Sequence, residues 1–194
     1  MMTIISPLKL FHKKGQFGDY ENKKLEDLVK ISEINNLFII QLVQYKSSKV
    51  QTDSIDGLKL SPTPGKVEYN EKTRVLWNGP KNWLIVSKDK NINKLISEKC
   101  DDKNFAITDI SNSRAIIQIK GYEASEILKK GCPIDFDNFK KNNCAGSIFN
   151  GINLIIDKID DTPETFNLFV LRSFGESFYH DVTDSALEYG YNAI

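Results

Sequence analysis

The sequence predicts an α+β chain built from largely antiparallel sheets with packed helices. Two β-rich runs, residues 73–77 and 83–87, flank Asn78-Gly79-Pro80-Lys81-Asn82, a segment dense in turn formers, and so read as a hairpin. Further strand-like runs follow between breakers, without the strict strand–helix alternation of a parallel sheet. A C-terminal stretch with helical spacing sits behind a capping motif. At 194 residues the chain is long enough to bury a core without disulfides or metals. The expectation is a single domain over residues 1–194, with sublobes at 31–100 and 101–194.

Taken in order, residues 1–30 show no strong period until a short polar helix expected over 20–30. Residues 37–45 read as a strand. Leu37, Ile39, Gln41, Val43 and Tyr45 share one face and Phe38, Ile40 and Leu42 the other, so both faces are expected to be covered. The breaker cluster Ser61-Pro62-Thr63-Pro64-Gly65 marks a loop. The hairpin comes next, then a helix over 91–99 with Ile92, Leu95 and Ile96 at helical spacing.

Residues 105–110 and 113–119 read as strands, and 121–130 as a helix opening at Gly121 and burying Ala124, Ile127 and Leu128. Gly131 stands where a left-handed C-terminal cap is wanted, and Pro133 prevents continuation. Three more strands are expected at 144–149, 152–156 and 165–171. The last two are joined by a loop containing Asp160-Asp161-Thr162-Pro163. Ser173 and Glu176 form an S-x-x-E capping box, followed by Phe174, Phe178, Val182, Ala186 and Tyr189 on one helical stripe.

Composition narrows the function. Forty per cent hydrophobic and 27% charged residues exclude a disordered chain. Twenty-six basic residues balance 26 acidic ones, which argues against nucleic-acid binding. No run approaches the roughly 18 apolar residues that span a bilayer. Residues 1–10 lack the basic start and cleavage site of an export signal, so the cytoplasm is expected. Cys100, Cys132 and Cys144 are too widely spaced for a disulfide framework or paired zinc ligands, and His12 and His180 stand alone. The phosphate-cradling glycine motifs, the G-x-S-x-G elbow and H-E-x-x-H are all missing.

Cys132 follows a helix C-terminus, whose partial negative charge disfavours a thiolate, and reads as a packed residue. Asp160 and Asp161 read as a solvent-facing turn rather than a proton-transfer pair. His180 lies off the apolar stripe, at the surface or an interface. Arg172, Trp77 and Trp83 carry two open readings. One is a contact surface, since Arg and Trp are enriched at interface hot spots; the other is a local ion pair and core tryptophans.

Several segments in this order resemble one family. They are 74–86 (RVLWNGPKNWLIV), 109–114 (DISNSR) leading into 119–121 (IKG), 128–135 (LKKGCPID), 144–147 (CAGS) and 166–174 (FNLFVLRSF). Together they are similar to the gamma subunit family of heterotetrameric sarcosine oxidases, over roughly residues 30–190. Asp109-x-Ser111, Gly121-x-x-Ala124 and Leu128 are shared with the wider aminomethyltransferase-like, folate-binding fold group, which implies a two-lobed fold. The resemblance implies alpha, beta and delta subunits as partners. Alpha and beta would hold FAD, FMN, NAD and the tetrahydrofolate site, delta would hold zinc, and this chain would hold no cofactor. It further implies that the assembly oxidises sarcosine to glycine, with peroxide and methylene-tetrahydrofolate as products, and that this chain has no catalytic centre. Active aminomethyltransferases carry a Gly-Gly-x-x-Asp-Asp type segment, whereas residues 149–154 here read FNGINL, without acids. The alternative is a stand-alone folate-binding protein of the iron–sulfur-repair type. Its hallmark K-G-C-Y-x-G-Q-E is matched at Lys130, Gly131 and Cys132 but not at Pro133, Asp135, Phe136 or Asp137.

Overall fold

A computed structural model of the chain describes residues 6–50 and 54–194. The first half of the N-terminal stretch read for an export signal lies outside the described residues. In chain order, strands β1 (Gly15–Phe17), β2 (Val29–Glu33), β3 (Phe38–Gln44), β4 (Ser54–Ile55), β5 (Leu58–Lys59), β6 (Val67–Tyr69), β7 (Thr73–Gly79) and β8 (Asn82–Ser87) precede helix α1 (Ile92–Lys99). Then come β9 (Phe105–Asp109), β10 (Arg114–Lys120), α2 (Ala124–Lys129), β11 (Cys144–Phe149), β12 (Ile152–Asp161), β13 (Glu164–Leu171), α3 (Gly175–Ala186) and β14 (Tyr191–Ala193). The α+β expectation holds.

The chain divides into two units, one of residues 1–35, 113–141 and 146–194, the other of residues 36–112 and 142–145. The division therefore differs from a cut at 100/101, because the first 35 residues join the C-terminal part. They do so through β2, which lies between β10 and β14; Ile117, Ile119 and Lys120 of β10 face Glu33, Ile31 and Lys30.

The first unit is a seven-stranded sheet in the order β1-β14-β2-β10-β13-β12-β11. All the register pairs described are antiparallel except β2 with β14. β10 reads RAIIQIK and is paired along its whole length with β13, from Arg114↔Leu171 to Lys120↔Thr165. Its β-branched residues suit a pleated surface covered by other elements. Helices α2 and α3 pack on β10 and β13 and against each other. Phe178 of α3 meets Phe149 edge-on at 5.7 Å, and Phe136 meets Phe166 at 5.8 Å, geometries that suit the aromatic quadrupole.

The second unit is a five-stranded sheet, β6-β7-β8-β3-β9, with β4 and β5 as a small separate hairpin. β8 is buried from Trp83 to Ser87, as expected of a strand paired on both sides and covered on both faces. Ile40, Leu42, Val75, Ile85, Ile92, Ile96 and Phe105 form its core, with Leu95 packed against them. The polar residues Thr73 and Ser87 are buried, but their hydroxyls bond each other at 2.8 Å, and Thr73 also donates to Asp56 at 2.7 Å.

Several expectations need correction. No helix forms over 20–30; turns lead directly into β2. The hairpin loop is shorter than five residues, because β7 extends to Gly79 and β8 begins at Asn82, with Lys81 in the left-handed region and a register shift after Trp77. The 121–130 helix is cut to Ala124–Lys129. Gly131 is not a left-handed cap: it is missing from the positive-φ glycines, and Lys130 ends the helix in right-handed geometry. Its need for glycine is steric, since a Cβ there would sit 2.9 Å from the Phe149 ring. A Cβ on Gly121 would likewise lie 2.9 Å from the Val29 Cα.

The Ser173–Glu176 capping box does not form either. Residues 172–174 wind into a 3-10 turn that runs straight into α3, so Phe174 becomes the cap position and no side chain caps the helix. The stripe on α3 keeps its middle, Phe178, Val182 and Ala186. Tyr179 and Thr183 are buried beside them, while Phe174 is exposed.

Candidate interaction surface

Arg172 stands in the 3-10 turn between β13 and α3, half-buried, between two exposed apolar neighbours, Leu171 (41% exposed) and Phe174 (47%). β13 delivers the turn to the sheet end, and Gly175 admits the chain into α3 with its Cα tight against Ala115, where a Cβ would lie 3.1 Å from that methyl. A large apolar side chain left open on each side of a guanidinium is the composition of an interface anchor. The sequence named Arg172 but placed Phe174 on the buried stripe, because helical spacing alone does not show where the helix begins.

The tryptophans part company. Trp77 and Trp83 face each other across the β7–β8 hairpin, Trp77 half-buried and Trp83 only 6% exposed. The Trp83 indole N–H donates to the Ser61 carbonyl at 2.8 Å, which makes it a core residue of the second unit with its polar handle satisfied. His180 is exposed on α3, with its ring edge-on to Phe11 at 6.3 Å. His12, by contrast, is tied down, with Nδ1 2.9 Å from the Tyr179 hydroxyl and Nε2 3.0 Å from the Ile194 carbonyl.

Cys132 is buried, with its N–H donating to the Leu128 carbonyl at 2.9 Å. Burial pushes its thiol up to about 12, against a smaller opposing effect of a hydrogen bond with Ser147. The protonated thiol is a poor nucleophile at neutral pH. In the folded chain Cys132 is therefore expected to resist iodoacetamide at pH 8 and to react only once the chain is unfolded. Peptide mapping by mass spectrometry checks this; alkylation at the rate of a free thiol would overturn it.

Asp160 and Asp161 end β12 instead of standing in a loop, and both are held as carboxylates below their usual range. For Asp160 the Asp161 backbone N–H leads, followed by Lys141; for Asp161 burial pulls the other way and is outweighed by Lys158 and the Lys141 N–H. They serve ion pairs, Asp160 with Lys141 at 3.3 Å and Asp161 with Lys158 at 3.1 Å. Residues 149–154, where the resemblance located the acid-bearing folate segment, make the turn from β11 to β12, with Asn150 and Gly151 at left-handed φ. That turn presents no carboxylate and does not fit folate chemistry. Among the described residues no cluster of His, Cys, Asp or Glu fits a metal ion, and no helix is long and apolar enough to cross a membrane.

Against known families, residues 53–188 match the sarcosine oxidase, gamma subunit family. Among solved structures, a heterotetrameric sarcosine oxidase from Corynebacterium sp. U-96, in complex with pyrrole 2-carboxylate, matches with a TM-score of 0.76 at 21% identity, over 84% of this chain and 87% of that one. The glycine cleavage system aminomethyltransferase T from Bartonella henselae matches with a TM-score of 0.64 at 12% identity, over 95% of this chain and 58% of that one. At these identities the structural likeness speaks for the fold, an aminomethyltransferase-like one. No curated protein sequence matches the chain.

Proposed function

The chain belongs to the sarcosine oxidase gamma subunit family, and from that premise we propose that it is a non-catalytic subunit that braces the cofactor-bearing chains of a heterotetrameric sarcosine oxidase. Its partners in this reading are the alpha, beta and delta subunits, with FAD, FMN, NAD, tetrahydrofolate and zinc held by them. The assembly oxidises sarcosine to glycine with release of peroxide and, with tetrahydrofolate, forms methylene-tetrahydrofolate. The observation that carries the reading is the family match across residues 53–188. The open Leu171–Arg172–Phe174 turn supports it by offering an apolar contact with a cation at its centre. Of the two readings, the stand-alone folate-binding protein gains nothing from a Cys132 that is buried and protonated.

Co-expression of the tagged chain with the other three subunits tests the proposal. An active, yellow complex that retains this chain is the expected result; a lone colourless chain beside well-expressed partners overturns it. Arg172→Ala is expected to lower recovery of the complex about tenfold, the size of a modest interface hot spot. Turnover per flavin in whatever complex does assemble should be unchanged. Lost turnover in a fully assembled, flavin-replete complex would instead give Arg172 a part in the chemistry.

A further inference from the structure

The second unit carries a cavity of about 720 Å³ between the loop after β5, the end of β3 and the β7–β8 turn. Its floor is apolar, made by Leu60, Trp83 and Phe105, with Trp83 and Phe105 almost wholly buried. Its rim is basic: Lys59, Lys66 and Lys81 line it, all exposed, against one carboxylate, Glu68. Glu68 is already committed, 2.9 Å from the Lys66 ammonium. The Lys81 ammonium is held over the rim by the carbonyls of Tyr45 and Ser48, at 3.4 and 3.3 Å, which orient the charge without neutralising it. Among the described residues neither Lys59 nor Lys81 has a carboxylate partner. Around an apolar well the rim therefore presents two positive charges that no carboxylate among the described residues pairs with.

We propose that this cavity seats a segment of a partner subunit in which a large apolar side chain is flanked by carboxylates. The inference rests on the reading of the chain as a subunit of the sarcosine oxidase assembly, and adds which surface of it is bound and by what chemistry. The charge pattern selects the occupant. Small-molecule sites fix their ligand through a few convergent polar groups inside the pocket. Here the donors near the floor are spent within the chain: the Trp83 indole on the Ser61 carbonyl at 2.8 Å, and the Gln44 amide on the Val50 carbonyl at 2.6 Å. What remains is an apolar floor and a cationic rim. That suits an anchor whose position is set by the chain it belongs to, with flanking acids that raise the encounter rate and exclude wrong partners. Lysine fits this role, because a flexible point charge tolerates variable acid geometry where an arginine fork would demand one orientation.

The test uses the full chain, co-expressed with its alpha, beta and delta partners. Lys59→Glu with Lys81→Glu turns the rim acidic. The double variant is expected to recover at least about tenfold less of the partner subunits than the unaltered chain, since like charges now face each other. Lys24→Glu with Lys94→Glu, the same charge change at exposed positions away from the cavity, should recover them normally. Raising the salt should weaken partner capture by the unaltered chain, because the rim contribution is screened, and should weaken capture by the Lys59→Gln, Lys81→Gln chain less, because that contribution is already gone. Circular dichroism on each purified variant confirms that the exposed substitutions leave the fold intact. Undiminished recovery by the Lys59→Glu, Lys81→Glu chain overturns the proposal. So does a melting temperature of the unaltered chain that rises with succinate or inorganic phosphate while the double variant assembles fully, which would make the cavity a small-anion site. If the unaltered chain itself recovers no partner, the subunit reading fails first and independently of the cavity.

Discussion

Glu164→Ala is expected to destabilise the chain by about 3 kcal/mol, the lower end of what breaking a buried ion pair costs. The reason lies in Lys158, whose side chain is only 3% exposed. Its ammonium donates to the Phe139 carbonyl at 2.9 Å and to Glu164 at 2.9 Å, lies 3.1 Å from Asp161, and sits 5.1 Å over the Phe166 ring. Glu164, at 18% exposure, is its better-shielded carboxylate partner, since Asp161 is 44% exposed. The second oxygen of Glu164 accepts from the Ser125 N–H at 3.1 Å and from the Ser125 hydroxyl, so the same carboxylate joins β13 to the first turn of α2. Removing it strips the buried ammonium of that partner and the helix start of its acceptor in one step. Lys158→Met is expected to cost less than half as much, because a linear apolar chain fills the same path and Glu164 keeps Ser125. Asp161→Ala should stay within about 1 kcal/mol, as exposed pairs do. Denaturant titration of the three variants orders them. A Lys158→Met variant as unstable as Glu164→Ala would show that the ammonium, and not the carboxylate bridge, is what the site depends on.

Gly18→Ala is expected to be comparably damaging, by about 3 kcal/mol, combining forced overpacking with a left-handed backbone. Gly18 has φ +76°, and a Cβ there would lie 2.2 Å from the Leu187 carbonyl oxygen and 2.7 Å from the Leu187 Cα. Those are backbone atoms after α3, which cannot turn aside as a side-chain tip would. The approach is close because the Asp19 N–H donates to the same carbonyl at 2.8 Å. Gly18 also follows β1 directly, and β1 is held to β14 by three register pairs, with Phe17 stacked on Tyr191 at 5.3 Å. Hydrogen exchange should therefore show the amides of β1 and β14 losing protection while those of β10 and β13 keep theirs. Gly146→Ala, where no atom lies within 4 Å and φ is not left-handed, is the control and should be near neutral. Equal stability of the two alanine variants would mean that the β1 segment does not hold this position in solution.

Much of the fold was legible because it is written in short-range pattern. The alternating apolar residues of 113–119, the β-branched run of 83–87 and the Ile92–Ile96 spacing each report a local period, and each became the expected element. Misreadings arose where a local signal has two uses. Ser173 and Glu176 satisfy a capping box on paper, yet the chain tightens into a 3-10 turn and passes the cap position to Phe174. Gly131 looks like a helix terminator, yet it is glycine because the Phe149 ring lies against it, a contact between residues 18 apart. One available signal was overlooked. Asp56-Gly57 between Ile55 and Leu58 is a two-residue hairpin turn with both residues at positive φ, and it joins β4 to β5.

The sequence by itself determined the class, the central strands and the middle of α3, together with the family resemblance and the reading of Cys132 as a packed thiol. These follow from periods of two and 3.6 residues and from side-chain chemistry, both local properties. Only the tertiary structure decided that β2 lies between β14 and β10, that the first 35 residues complete the C-terminal unit, and that Trp83 is core while Phe174 is exposed. It also decided that Lys59 and Lys81, 22 positions apart in an evenly lysine-rich chain, share the rim of one apolar cavity. Strands of two or three residues carry no readable period, and the partner of a strand or the neighbour of a charge is set by the path of the whole chain, which no local window contains.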